Sequence, residues 1–192
     1  LASLSVMGLN SCNLSSRNLK ITILHTNDVH SQIDPFPSNH NLYPNKGGFA
    51  KRASLFQELI TINPNTLIFD AGDIFQGTPY FNFFQGELEL NLMKKMGYNA
   101  ATIGNHEFDA GLKTFKKNIL NNDFQFLSSN YDFTNTELEG LIDKYKIYNK
   151  GGIKIGVFGL GIELKGLVSP LLYRETRYYD PVDIAKDISS KL

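Results

Sequence analysis

Apolar and polar positions change their period repeatedly along this chain, and each change marks an element. Leu19 to His25 (LKITILH) is β-branched and apolar, which predicts a buried strand. A polar, proline-containing loop follows from Asn27 to Lys46. Gly48 to Ile62 then places Phe49, Ala53, Phe56 and Ile60 at helical spacing, and Asn63-Pro64-Asn65 breaks that helix. Thr66 to Asp70 (TLIFD) reads as a second strand. A helix from Gly86 to Met96 carries Lys94 and Lys95 near its end and Gly97 beyond it, which suits the dipole and a left-handed cap. Ala100 to Ile103 predicts a third strand, Leu112 to Leu120 another helix. Strands are expected at Phe124 to Ser128, Lys146 to Tyr148 and Ile153 to Leu160. Near the end, Asp180 is a candidate N-cap, Pro181 fits the first helical position, and Ile184, Ala185 and Ile188 form an apolar stripe. This alternation predicts a layered α/β domain in which helices cover a largely buried sheet.

Composition narrows the picture. Over 192 residues, 19 Lys+Arg balance 19 Asp+Glu, so the chain lacks the basic footprint of a nucleic-acid binder. A hydrophobic content of 42% with 12% aromatics argues for a packed core rather than a disordered tail. A single cysteine excludes an intramolecular disulfide framework and zinc sites built on CxxC pairs. Oxygen and imidazole donors must therefore carry any metal chemistry. Residues 1–18 read as the remnant of an export signal followed by a short polar linker, and residues 19–192 as the domain. Leu9-Asn10-Ser11-Cys12 is similar to a bacterial lipobox, with Asn10 an untidy fit. Two readings stand: an exported protein tethered to a membrane through lipidated Cys12, or an N-terminal arm with an ordinary thiol.

Three predicted strands end in metal-competent residues: His25-Thr26-Asn27-Asp28-Val29-His30, then Asp70-Ala71-Gly72-Asp73, then Gly104-Asn105-His106-Glu107-Phe108-Asp109. Open α/β sheets build their sites beyond the carboxyl ends of strands, so these clusters are expected to converge. Asp28 and His30, two apart, share a face if the segment is extended. Asp73 offers two oxygens that can bridge two cations, beside a glycine that lets the backbone turn. Asn105 adds a neutral oxygen, and Asp109 stands three residues from His106, where a carboxylate can fix an imidazole tautomer. Each motif alone also reads as a strand-end turn or a helix cap. Of the four histidines, His25 is expected in the core and His40 in solvent.

The strings Asp28-Val29-His30, Gly72-Asp73 and Gly104-Asn105-His106-Glu107 resemble the calcineurin-like metallophosphoesterase superfamily. HTNDVH (His25 to His30), KGGFAKR (Lys46 to Arg52), DAGDIFQGTP (Asp70 to Pro79) and MGYNAATIGNHEFDAG (Met96 to Gly111) are similar to the N-terminal domain of secreted 5′-nucleotidases. The resemblance implies a layered α-β-β-α sandwich, incomplete at its C-terminus. It implies two divalent cations (zinc, manganese or iron), with Asp28 and His30 on the first, Asp73 bridging, and Asn105 on the second. It makes His106 with Asp109 the catalytic dyad. The implied reaction is hydrolysis of nucleoside 5′-monophosphates by a hydroxide shared between the two cations, in a periplasmic or cell-surface protein. Gly47 and Gly48 are expected to allow close packing, and Arg52, Gln76 and Thr78 to be structural.

One departure is plain. The family completes its metal site with later histidines, including G-H-x-H, and no histidine follows His106 here. The expectation is an N-terminal fragment whose missing segment completes the site, inactive by itself. Two alternatives remain open: a phosphatase or phosphodiesterase for sugar phosphates or cyclic nucleotides, and a non-catalytic surface lipoprotein of the same fold.

Overall fold

The computed structural model describes residues 18–192; the signal-like stretch and Cys12 lie outside the described residues. The elements run β1 (Thr22–Thr26), α1 (Phe49–Ile62), β2 (Thr66–Asp70), α2 (Pro79–Phe84), α3 (Glu87–Met96), β3 (Ala100–Thr102) and α4 (Gly111–Asn122). They continue with β4 (Phe126–Leu127), β5 (Tyr131–Asp132), β6 (Tyr145–Lys150), β7 (Ile153–Phe158), α5 (Pro170–Tyr173), β8 (Arg177–Tyr178) and α6 (Pro181–Lys191).

Strands β1 to β4 form a parallel sheet in that order, with Thr22 opposite Thr66, Phe69 opposite Ala100 and Ala101 opposite Phe126. Parallel neighbours need crossovers, and α1, α3 and α4 supply them. Their apolar stripes meet one face of the sheet. Phe49 and Phe56 of α1, Leu90 and Met93 of α3, and Phe115 and Ile119 of α4 pack with Ile68, Ala101 and Phe126 in one core. Each of these Phe, Leu, Ile and Met side chains contributes roughly 1.5–3 kcal/mol when fully buried. Helix α3 ends as its sequence dictates. Gly97 adopts φ 89°, its N–H bonds to the Lys94 carbonyl at 3.0 Å, and the Tyr98 N–H bonds to Met93 at 3.2 Å, closing a Schellman cap.

The other face carries the antiparallel hairpin β6–β7. Tyr148 of β6 packs against Phe69 of β2 with ring centroids 5.6 Å apart. Behind the hairpin lies α6, and the Leu192 side chain just past its end sits where a Cβ on Gly156 would meet it at 3.0 Å. The order is helices, sheet, hairpin, helix, so the second sheet of the expected sandwich is represented by two strands.

Three expectations need correction. Strand β1 is half-buried, because it is an edge strand whose helix-free face is bare; Ile23 on that face is 56% exposed. His25 shares this face and is therefore exposed rather than a core histidine. Between this face and the hairpin, His25, Phe69, Ala100, Thr102, Leu127 and Val157 line a cavity of about 390 Å³. His40, expected in solvent, is half-buried: its Nδ1 accepts the Tyr43 N–H at 3.0 Å, and its ring packs on Phe36.

Candidate metal centre

The segments leaving β1, β2 and β3 meet beyond the carboxyl end of the sheet. The first two lace together past the end of their ladder. Ala71 N–H donates to the Thr26 carbonyl at 2.8 Å, Asp28 N–H to Gly72 at 3.0 Å, His30 N–H to Asp73 at 3.1 Å and Ser31 N–H to Ile74 at 2.8 Å. Asp28, His30, Ser31 and Asp73 all take positive φ, between 44° and 56°. Such left-handed conformations are costly away from glycine, and they cluster where surrounding contacts impose them. The extended geometry expected for Asp28-Val29-His30 is thus absent. The turn nevertheless leaves Asp28 Oδ1 3.8 Å from His30 Nε2.

The third segment fits against the second through two glycines. A Cβ on Gly72 (φ 97°) would lie 2.7 Å from the Gly104 nitrogen, and one on Gly104 would lie 2.7 Å from the Asp73 nitrogen. Glu107 locks this contact. Its fully buried carboxylate accepts the N–H groups of Gly104 at 2.6 Å, Ile74 at 2.7 Å, Asp73 at 3.0 Å and Phe75 at 3.4 Å. Burial, then repulsion from Asp73, pushes its carboxyl up to about 7. Ser31 is braced similarly: its hydroxyl donates to the buried Glu89 carboxylate at 2.5 Å, and the Thr78 hydroxyl donates to its carbonyl at 2.9 Å.

Ligand atoms of His30, Asp73 and His106 lie within 4.8 Å of one another, and the rings of His30 and His106 meet edge-on at 5.1 Å. Asp28, Asp73 and Asn105 line a cavity of about 200 Å³, walled on its other side by Leu160, Gly161 and Ile162. Asp109 sits behind His106, with Oδ2 2.7 Å from Nδ1, which leaves Nε2 as the unengaged ring nitrogen. The His106 N–H also donates to Asp73 Oδ1 at 3.0 Å. Burial pulls the His106 pKa down, but the Asp109 hydrogen bond and charge, then Asp73 and Glu107, outweigh it, and the net direction is up.

The six residues singled out in the sequence, Asp28, His30, Asp73, Asn105, His106 and Asp109, therefore gather at one place. The His30 imidazole with the Asp73 and Asp28 carboxylates supplies nitrogen and oxygen donors suited to a divalent cation, with the His106 ring beside them. Sequence reasoning named Glu107 without giving it a role, and missed Glu89 and the Leu160–Ile162 wall. Only Glu107 left a signal: an acidic side chain at a tight turn, where free N–H groups need acceptors. The residues expected to be structural do bind structure. Arg52 Nη1 lies 3.4 Å from the Tyr98 hydroxyl, and a Cβ on Gly48 would lie 2.7 Å from the Pro35 nitrogen.

Among curated proteins, the chain is 35% identical over 187 residues to a snake venom 5′-nucleotidase of Gloydius brevicauda, covering 93% of this chain and 32% of that protein. It is 33% identical over 148 residues to the 5′-nucleotidase of Homo sapiens, covering 73% of this chain and 26% of that one. Among solved structures, the 5′-nucleotidase precursor of Thermus thermophilus superposes with a TM-score of 0.79 at 32% identity, over 90% of this chain and 34% of that one. The NAD nucleotidase of Haemophilus influenzae gives 0.80 at 30% identity, over 90% and 32%. The chain thus spans about a quarter to a third of the length of these relatives. Residues 21–187 match the family model for calcineurin-like phosphoesterases, and the chain belongs to that family.

Proposed function

We propose that these residues carry the N-terminal half of a two-metal centre that hydrolyses phosphomonoesters, with nucleoside 5′-monophosphates as substrates. The carrying observation is the convergence of His30, Asp73 and His106 within 4.8 Å, flanked by Asp28. Asp28, His30 and Asp73 would hold one cation; Asp73 and Asn105 would begin a second site, completed by donors outside these residues. When bound, the cations polarise phosphoryl oxygens and lower the pKa of water.

The chain's own groups supply the rest. The Asn105 amide can donate to an equatorial phosphoryl oxygen, since phosphoryl transfer relies on positioning and charge stabilisation. His106, held in one tautomer by Asp109 and biased towards the imidazolium, presents Nε2–H to the phosphate or the departing oxygen. Zinc, manganese and iron are the candidate ions. Export to the periplasm or cell surface is part of this reading, supported by the venom relatives and the precursor from Thermus.

The likeness to an NAD nucleotidase favours a second reading, in which a nucleotide phosphoanhydride or phosphodiester is cleaved. A panel of AMP, NAD, a 2′,3′-cyclic nucleotide and a sugar phosphate, assayed with the manganese-loaded full-length protein, extending beyond these 192 residues, separates them. Highest kcat/KM on AMP supports the proposal. Preference for NAD or the cyclic nucleotide moves the assignment to the second reading. No turnover of any substrate by protein that holds metal would favour a non-catalytic member of the fold.

A further inference from the structure

Just past β4, the run Ser129-Asn130-Tyr131 lies alongside the segment leaving β7, Gly159-Leu160-Gly161-Ile162. Three consecutive residues fasten it. Ser129 N–H donates to the Gly159 carbonyl at 2.8 Å. The Asn130 side-chain amide pairs with the Gly161 peptide in a closed ring: Gly161 N–H donates to Oδ1 at 2.7 Å, and Nδ2 donates back to the Gly161 carbonyl at 2.9 Å. The Tyr131 hydroxyl donates to the Ile162 carbonyl. Close approach makes glycine necessary here. A Cβ on Gly161 would lie 2.5 Å from Cζ of the Tyr131 ring, and one on Gly159 would lie 2.6 Å from Thr102 Oγ1.

Asn130 is fully buried, and it is held from behind because its main-chain carbonyl accepts the Tyr179 N–H at 2.9 Å. The segment it grips is the wall of the 200 Å³ cavity facing Asp28, Asp73 and Asn105. We propose that Asn130 is a positioning residue for phosphate-ester binding: by matching both hydrogen-bonding groups of the Gly161 peptide, it fixes the width of that cavity. The inference rests on the phosphoesterase reading and adds a role for a residue that reaches the cavity through Gly161, while its Nδ2 also donates to the Tyr179 carbonyl at 3.4 Å. The pairing demands an amide of this length. Aspartate would turn an acceptor towards the Gly161 carbonyl, and glutamine is one methylene too long.

The test uses the metal-loaded full-length protein, extending beyond these 192 residues, and compares wild type with Asn130→Asp and Tyr131→Phe. Calorimetric titration with inorganic phosphate, elemental analysis, thermal unfolding and steady-state kinetics on a phosphomonoester are measured on each. Asn130→Asp is expected to weaken phosphate binding and raise KM by about tenfold, the scale of one lost buried hydrogen bond. The expected kcat stays within about threefold and the metal content is unchanged. Tyr131→Phe is expected to move KM and phosphate affinity the same way by a smaller factor. A folded Asn130→Asp protein with a lowered melting temperature but wild-type phosphate affinity and KM would overturn the proposal, because a purely structural role predicts that pattern. If Asn130→Asp fails to fold, unchanged phosphate affinity in Tyr131→Phe overturns it instead. A wild type that neither binds phosphate nor hydrolyses any ester would overturn the phosphoesterase reading itself, and this inference with it.

Discussion

His106 takes its protonation bias from its neighbours. Burial favours the neutral ring, while Asp109, Asp73 and Glu107 favour the imidazolium and prevail. Replacing Asp109 with Asn removes its charge and weakens its hydrogen bond, the two largest of the favourable contributions. The His106 pKa then falls, and the alkaline limb of the kcat–pH profile of the full-length protein is expected to move to lower pH. An alkaline limb that stays in place would show that His106 carries no proton needed for turnover. Asp70 offers a second titration of opposite consequence. Its carboxyl is buried, accepts from Thr26 Oγ1 at 2.5 Å and from Gly72 N–H at 2.9 Å, and is pushed up to about 6, chiefly by desolvation. An acid whose folded pKa exceeds its unfolded value holds more protons when folded, so its contribution is fully present below about 4 and fades as pH rises through 6. Unfolding free energies of the metal-free protein are expected to fall across that window, by up to about 3 kcal/mol from this group. Asp70→Asn is expected to flatten the slope; an unaltered slope in denaturant titrations would assign it to other carboxyls.

Elements differ in how far their own residues determine them. Helix α6 is set locally: the Asp180 carboxylate accepts the N–H groups of Val182 at 2.8 Å and Asp183 at 3.1 Å, and Pro181 follows it. Asp180→Ala is expected to cost about 1 kcal/mol and to lower the melting temperature by roughly 2–4 °C. No change in a thermal scan would mean that packing of Ile188, not the cap, holds the helix. The same locality made α1, β2, α3 and the two strands β6 and β7 legible from the chain, though not the pairing of the last two, since their periods and breakers lie within each segment. Helices α2 and α5 were not legible. PYFNFF and PLLY are too short to show a period, and proline at the first position is their only local sign. Strands β5 and β8 have two residues each and exist only because Tyr131 finds Tyr178 across a long separation. At the site, residue identities were legible but conformations were not. The left-handed turns at Asp28, His30 and Asp73 follow from hydrogen bonds between two loops, which no single segment encodes. His25 was misplaced for a related reason: its pattern fits a buried strand, and only the sheet order reveals β1 as an edge.

Across the whole molecule, one sheet face is sealed by three helices, while the other bears a hairpin and leaves Ile23 exposed. The site shows the same one-sidedness. The loops after β1, β2 and β3 bring Asp28, His30, Asp73 and His106 to one point. On the opposite side, the Leu160–Ile162 wall carries no imidazole or carboxylate. Of the donors assigned to a second cation, only Asp73 and Asn105 belong to this chain, and no histidine follows His106 in its sequence. Two oxygen donors leave a transition-metal ion far short of the four ligands it prefers. The relatives, about three times as long, have ample chain to supply more. The 192 residues alone are therefore expected to bind one equivalent of manganese or zinc and to hydrolyse phosphate esters weakly or not at all. The full protein is expected to hold two equivalents and to turn over. Elemental analysis after dialysis, with an AMP assay on both, checks this. Two tightly held equivalents and robust turnover by the 192 residues would mean that groups already on these loops complete the second site, with the exposed Asp28 carboxylate the first to suspect.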